Sequence, residues 1–355
     1  MTMKRICRRL VFVLFSAWVA TASAAPALES MAGTLRGSAQ MRGVQIGASV
    51  DEDALRDDAE YAATLAREFN SLTPENSMKF DALHPAPFHY EFAGGDAVVD
   101  FAEQHNMQVH GHVLVWHEQL PAWLINGHWT QAQLRMILRE YIFRVVGHYR
   151  EHIKIWDVVS EAIDDNGAMR QTFWSQGIGP DYIALAFQWA HEADPEAVLL
   201  YNDYGGEGGG PKADAIYKLL QGLRAQGVPV NAVGLQMHTS VEAAPDIQAV
   251  SANMARLNSL GLNVFITEMD VMIKLPVTPA KLQAQADIYR DVLNTCLSAR
   301  NCHHFTLWGF TDRHSWIPTF FPGNGAALIF DEQMQPKPSY RALMDALSTS
   351  TIKSP

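Results

Sequence analysis

Two kinds of stretch alternate along this chain. Short apolar runs that stop abruptly at polar residues occur at 44–48, 69–75, 107–115, 154–161, 197–201, 232–235, 263–270 and 304–308. Runs of this length, rich in β-branched residues and apolar on both faces, read as strands of a parallel sheet. Between them lie segments with apolar residues at helical spacing: 51–67, 96–105, 131–149, 182–193, 212–226, 247–260, 279–298 and 337–347. Asp51 stands where the first of these needs an N-cap. Alternation of this kind implies parallel strands joined by helical crossovers. Eight such units predict an α/β fold, a (β/α)8 TIM barrel forming a single domain over 41–348. The alternative is a doubly wound open sheet, but no Gly-rich fingerprint follows the first strand. Five glycines at 205–210 lack both the Walker ending and the GxGxxG spacing, and read as a flexible rim loop.

Composition narrows the picture. The chain has 355 residues, 48% hydrophobic and 18% charged, enough core for one domain of barrel size. Its formal net charge of -11 argues against nucleic acid or an anionic membrane surface as partner and fits a neutral substrate. At the N-terminus, Lys4, Arg5, Arg8 and Arg9 precede an apolar run at 10–19 and the small-x-small site Ala22-Ser23-Ala24. That is the order of a secretory signal, and the apolar run is short for a membrane span. A signal peptide over 1–24 is expected, with Ala25 beginning an exported chain, periplasmic or extracellular and free of the membrane once the signal is gone. Residues 25–40 read as a loose lead-in and 349–355 as a C-terminal tail. Cys7 leaves with the signal. Cys296 and Cys302 remain, close together in an oxidising compartment, and are expected to form a disulfide between a helix end and the next strand. Two thiols without CxxC spacing do not suggest a metal. A monomer is expected.

In a barrel of this kind the chemistry sits at the C-terminal ends of the strands. Glu161 ends the run Ile155-Trp156-Asp157-Val158-Val159-Ser160, and Glu268 follows Val264-Phe265-Ile266-Thr267. Either glutamate alone is unremarkable at a strand end. Together they offer two carboxyls, one to be kept protonated and one ionised, which is the minimum machinery of glycoside hydrolysis. The other strand ends carry Glu75, Asn76 and Lys79; His112, Trp116 and Gln119; Asn202 and Tyr204; Gln236 and His238; Asp270; and Trp308, with Trp316 just after. Neutral amides, a few histidines and several indoles are what sugar hydroxyls and the apolar faces of pyranose rings require. Any one of these residues has a plainer reading as core or loop. Their recurrence at successive strand ends favours a carbohydrate site.

The segments Glu75-Asn76-Ser77-Met78-Lys79, Trp116-His117-Glu118-Gln119, Trp156-Asp157-Val158-Val159-Ser160-Glu161, Asn202-Asp203-Tyr204, Gln236-Met237-His238, Ile266-Thr267-Glu268-Met269-Asp270 and Trp308-Gly309-Phe310-Thr311-Asp312 together resemble glycoside hydrolase family 10, the endo-β-1,4-xylanases. The likeness runs from about residue 40 to residue 348. It implies hydrolysis of xylan or xylo-oligosaccharides by a retaining double displacement without a cofactor. By that pattern Glu268 is the nucleophile and Glu161 the general acid/base. Retention asks for carboxyls about 5–5.5 Å apart. The resemblance further implies that His238 bonds the nucleophile and is held by Asp270. Glu75, Asn76, Lys79, His112, Trp116, Gln119 and Gln236 would line the glycone side, walled by Trp308 and Trp316. Asn202 and Tyr204 would lie nearer the acid/base and the leaving group. Gln119 and Trp316 would fill the space that a hydroxymethyl group needs, excluding glucose.

The chain departs from the family at Ser160, where Asn is usual and donates to the sugar 2-hydroxyl. Ser is shorter, so slower glycosylation or a shifted substrate range is expected. His110 stands where Arg is more common, with no function attached. A rival reading takes His110, His112, His117, His238 and Asp312 as a metal site. A second rival is a sugar-binding barrel whose catalysis has decayed at Ser160. Within glycosidases, the nearest confusion is a related barrel acting on β-1,4-glucan.

Overall fold

The computed structural model describes residues 33–348. The expected signal peptide, the lead-in up to residue 32, Cys7 and the tail at 349–355 lie outside the described residues. The barrel strands are β1 (Gln45–Val50), β2 (Ser71–Pro74), β3 (Gln108–Gly111), β4 (Ile155–Ser160), β5 (Val198–Asp203), β6 (Ala232–Leu235), β7 (Asn263–Lys274) and β8 (Cys302–Leu307). Each pairs in parallel with the next. Pairing of β1 with β8, with Ile46 opposite Phe305, closes the cylinder, so the barrel sheet has no free edge. This is the (β/α)8 barrel that the alternation predicts, with helices between successive strands.

Side-chain alternation sets the two faces of the sheet. On β4, Ile155 points inward and packs with Leu200, Ala232 and Phe265. Trp156 points outward into the large core beneath the helices. Gly111 on β3 lies beside it, and a Cβ there would come within 2.2 Å of the Trp156 ring. The inner layer also holds His304, stacked on Phe265 at 3.8 Å, and His110, edge-on to Phe265 at 6.1 Å. Burial drives the His304 imidazole down to about 3, so it sits in this layer uncharged. Next along β4 the inward position is Asp157, and the barrel interior turns polar toward its C-terminal end.

Three elements differ from expectation. Residues 35–40 are not a loose lead-in: they belong to the helix Leu35–Arg42, capped by Thr34 and ended by Gly43 at φ 64°. Glu68 accepts from Leu35 N, and Arg36 bonds Ala66 O and His105 O, which ties this helix under the barrel floor. The expected helix over 51–67 is two helices, Glu52–Asp57 and Ala59–Glu68. Asp58 breaks the helix because its carboxylate caps the second segment and pairs with Arg313 and His314. The glycines at 205–210 are pinned: Asn253 Nδ2 donates to Gly206 O and Glu207 O, and a Cβ at Gly208 would lie 3.3 Å from Ala249. Beneath that loop lies a cavity of about 460 Å³. Cys296 and Cys302 are disulfide-bonded, joining the end of the helix Pro279–Ser298 to the start of β8. None of the described helices is long and apolar enough to cross a membrane.

Candidate active site

The two glutamates arrive at the barrel mouth by different routes. Glu161 is the first residue past β4, and its backbone turns to φ 58°, a left-handed conformation that a non-glycine residue adopts only when its surroundings impose it. Its amide donates to Asn202 O, and Arg170 Nε donates to its carbonyl. The carboxyl is thereby aimed inward, where Oε1 accepts from Gln236 Nε2 at 3.1 Å and Oε2 lies 3.9 Å from His117 Nδ1. Glu268 stays within β7, 5% exposed, its amide bonded to Gln236 O. Gln236 thus links both glutamates, one through its side chain and one through its backbone.

Both oxygens of Glu268 are occupied. Oε1 accepts from Asn202 Nδ2 at 2.6 Å, and Oε2 faces His238 Nε2 at 3.2 Å. His238 Nδ1 faces Asp270 Oδ2 at 2.9 Å, and that same oxygen accepts from Trp316 Nε1 at 2.8 Å. Burial works against a charge on His238, but Asp270 and Glu268 outweigh it and hold the imidazole well above the ordinary histidine range. Each ring nitrogen thus faces a carboxylate oxygen, an arrangement that favours the charged imidazole. Burial likewise pushes Glu268 up, yet the hydrogen bond from His238 and the charge of His112 bring it below an ordinary glutamate. An ionised, oriented carboxylate results, which suits a nucleophile.

Under this pair lies Asp157, fully buried, facing His110 Nε2 at 3.0 Å and His112 Nδ1 at 2.9 Å. Burial alone would raise its pKa; the two imidazoles hold it at about 2. His112, Asp157 and Glu268 bring ligand atoms within 4.8 Å of one another, as a metal site would need. Every carboxylate oxygen of this trio already faces a side-chain nitrogen, from Asn202, His238, His110 or His112. The carboxylate oxygens of the trio are thus already engaged by protein groups. The residues of the rival metal reading do not converge: Asp312 is bound to Lys337 at 2.8 Å, and His238 is committed to Glu268 and Asp270.

On one flank Lys79 Nζ donates to Asn76 Oδ1 at 3.1 Å and Gln119 Oε1 at 2.7 Å, and sits 4.9 Å over the Trp116 ring. Burial lowers the Lys79 pKa against the pull of Glu268 and Glu75. Glu75, just past β2, is pushed up to about 7 by burial and by the charge of Asp51. Trp308 packs edge-on against His112 at 5.1 Å and His238 at 6.3 Å, and Trp316 against His238 at 5.2 Å. On the other flank, Tyr204 accepts from Arg170 Nη2 at 3.0 Å, and Lys212 lies 3.4 Å over its ring. Lys212 also pairs with buried Asp203 at 3.1 Å.

The structure joins Glu161, Glu268, Asn202, Gln236, His238, Asp270 and Trp316 in one hydrogen-bonded cluster, and Asn76, Lys79 and Gln119 in another, with two changes of place. Asn202, expected near the acid/base, sends its side chain to Glu268 and only its carbonyl to Glu161. Gln236, expected on the glycone side, bonds Glu161. Sequence reasoning missed Asp157, Arg170 and Lys212. Asp157 carried a signal, being a carboxylate inside an otherwise apolar strand; His110, left without a role, is its partner.

Residues 34–346 match the family described as Glycosyl hydrolase family 10. Endo-1,4-beta-xylanase B of Thermotoga neapolitana is 42% identical over 316 residues, 88% of this chain and 91% of that one. Endo-1,4-beta-xylanase 2 of Aureobasidium pullulans is 39% identical over 291 residues, 79% of this chain and 81% of its own. Among solved structures, xylanase 10B from Thermotoga petrophila RKU-1 in complex with xylobiose superposes with a TM-score of 0.86 at 42% identity, covering 88% of this chain and 97% of that one.

Proposed function

This chain belongs to glycosyl hydrolase family 10, and we propose that it cleaves internal β-1,4-xylosidic bonds of xylan with Glu268 as nucleophile and Glu161 as general acid/base. Its activity is that of an endo-1,4-β-xylanase, in a retaining family. The observation that carries the residue assignment is the asymmetry of the two carboxyls. Glu268 is buried, lies below an ordinary glutamate and receives Asn202 and His238, while among the described residues the Glu161 carboxyl takes one hydrogen bond, from the neutral amide of Gln236, with His117 farther off at 3.9 Å. Glu268 attacks the anomeric carbon as Glu161 protonates the leaving oxygen. Water then attacks the glycosyl-enzyme, with Glu161 as base. When Glu268 becomes an ester its charge disappears, and His238 retains Asp270 as its counter-ion.

The substrate side of this reading rests on Lys79, Asn76 and Gln119 as hydroxyl partners and on Trp308 and Trp316 as walls. Xylo-oligosaccharides are the small ligands, and no step calls on a cofactor. The basic, apolar and small-residue order of 1–24 supports export to the periplasm or beyond, where the chain acts as a monomer away from the membrane. A xylan digest tests the whole. Early products are expected to be a spread of short xylo-oligosaccharides whose new reducing ends appear first as the β-anomer by NMR. Xylose alone, or the α-anomer first, contradicts it.

Ser160 yields a second expectation. It is 4% exposed at the end of β4, and its hydroxyl has no hydrogen-bond partner among the described residues. Its side chain reaches no neighbouring polar group, as a short replacement for Asn would. Ser160→Asn is expected to gain a bond that strengthens in the transition state, worth about 1 kcal/mol or about fivefold in kcat/KM on xylohexaose. A kcat/KM no higher than the parent's means that another group already serves the 2-hydroxyl.

A further inference from the structure

The bond from Asn202 to Glu268 raises a question of orientation. A carboxamide has two ends of nearly equal size, and only the NH2 end can donate to a carboxylate. At the other end of Asn202, Thr267 Oγ1 donates to Oδ1 at 2.8 Å. Thr267 is the residue before Glu268 on β7 and is 2% exposed; Asn202 is fully buried on β5. Ionised Glu268 only accepts, so the NH2 end faces it, and the Thr267 hydroxyl, which can donate or accept, then donates to the Oδ1 end and holds the carboxamide in place. The space for this comes from β6, between them. Gly234 is opposite Asn202 on one side and Phe265 on the other. A Cβ at 234 would stand 2.2 Å from Asn202 Oδ1 and 2.9 Å from Thr267 Cγ2, so no other residue fits without displacing the pair.

We propose that Thr267 and Gly234 are positioning residues that hold the Asn202 carboxamide in the place from which it donates to Glu268. The inference rests on Glu268 being the nucleophile. A displaced amide would take away one of the two side-chain hydrogen bonds to the carboxylate and leave it less firmly aimed. The same donor then assists release of Glu268 when the glycosyl ester is cleaved. The charged groups facing Glu268 are His238, His112 on the β3 side, Asp157 on β4 and Lys79 beyond β2. All of them remain when Thr267 or Gly234 is changed.

The test uses Thr267→Val, which keeps the shape of threonine and removes the hydroxyl, Thr267→Ser, which keeps the hydroxyl, and Gly234→Ala. The full chain is assayed on xylohexaose and on an aryl β-xylobioside across pH. Thr267→Val and Gly234→Ala are expected to lose about tenfold or more in kcat/KM, mostly in kcat. In both, the acidic limb of the kcat/KM profile moves to higher pH, because a carboxylate that has lost a donor is protonated more easily. Thr267→Ser is expected to restore both the rate and the limb. A parent-like Thr267→Val overturns the inference. So does a slow Thr267→Val whose acidic limb stays in place and which serine does not rescue, since that is a packing defect. If Glu268→Ala keeps parental activity, the nucleophile assignment fails and this inference with it. An inactive Glu268→Ala beside a parent-like Thr267→Val removes the inference alone.

Discussion

Glu268→Ala is expected to lose at least about four orders of magnitude in kcat on xylan and on aryl xylosides alike, the scale on which removal of a nucleophile falls. Leaving-group quality does not help, because the missing bond is the one to the anomeric carbon. The variant also leaves Asn202 Nδ2 without its acceptor and His238 with Asp270 as its remaining carboxylate. The His238 imidazole should therefore titrate at lower pH than in the parent, which NMR of the ring protons can follow. Truncation opens space on the face of the sugar that Glu268 attacks. Added azide is expected to enter there and give the α-xylosyl azide, inverted relative to the substrate. Undiminished xylan hydrolysis in this variant, or an azide product of β configuration, would remove Glu268 from the role.

Glu161→Ala is expected to behave differently. On xylan, loss of the general acid should cost about two to four orders of magnitude in kcat. On an aryl xylobioside whose phenolate leaves without a proton, the first step should survive and the second should not. That predicts a burst of phenolate followed by slow turnover, with a low KM because glycosyl-enzyme accumulates. Azide needs no base and should relieve the second step, giving the β-xylosyl azide with retained configuration. The opposite stereochemistry of the two azide products separates the roles of two glutamates that both bond Gln236. Equal losses on xylan and on the activated substrate would contradict the acid/base assignment.

Much of this could be read from the chain because its strands are buried on both faces. Runs such as Val264-Phe265-Ile266 mark themselves by composition, and the polar residues that stop them fall at the barrel mouth. The apolar spacing over 131–149 gave the helix Gln131–His148 to within one residue, and a Thr130–Gln133 capping box fixes its start. Helix boundaries were not legible where one residue plays two parts. Asp58 looks like any polar position in an amphipathic helix, and its effect depends on Arg313, distant in sequence. The lead-in helix was hidden for a similar reason, since its anchor Glu68 lies across the barrel floor. At the site, residue types were legible and pairings were not. Asn202 and Gln236 project from adjacent strands, and which glutamate each meets depends on side-chain rotation that no spacing encodes. Thr267 was invisible because a buried threonine on a strand is ordinary; only its contact with Asn202 singles it out.

The measurement that bears most directly on this account is the mass of the protein after incubation with an activated 2-deoxy-2-fluoroxylobioside. Fluorine at C2 slows both steps, and the good leaving group spares the first. A retaining mechanism through Glu268 predicts a mass increase of one fluoroxylobiosyl unit, located by peptide fragmentation on Glu268, with activity returning as a xylosyl acceptor discharges it. An adduct on another carboxylate, or no adduct from an enzyme that cleaves xylan, would contradict it.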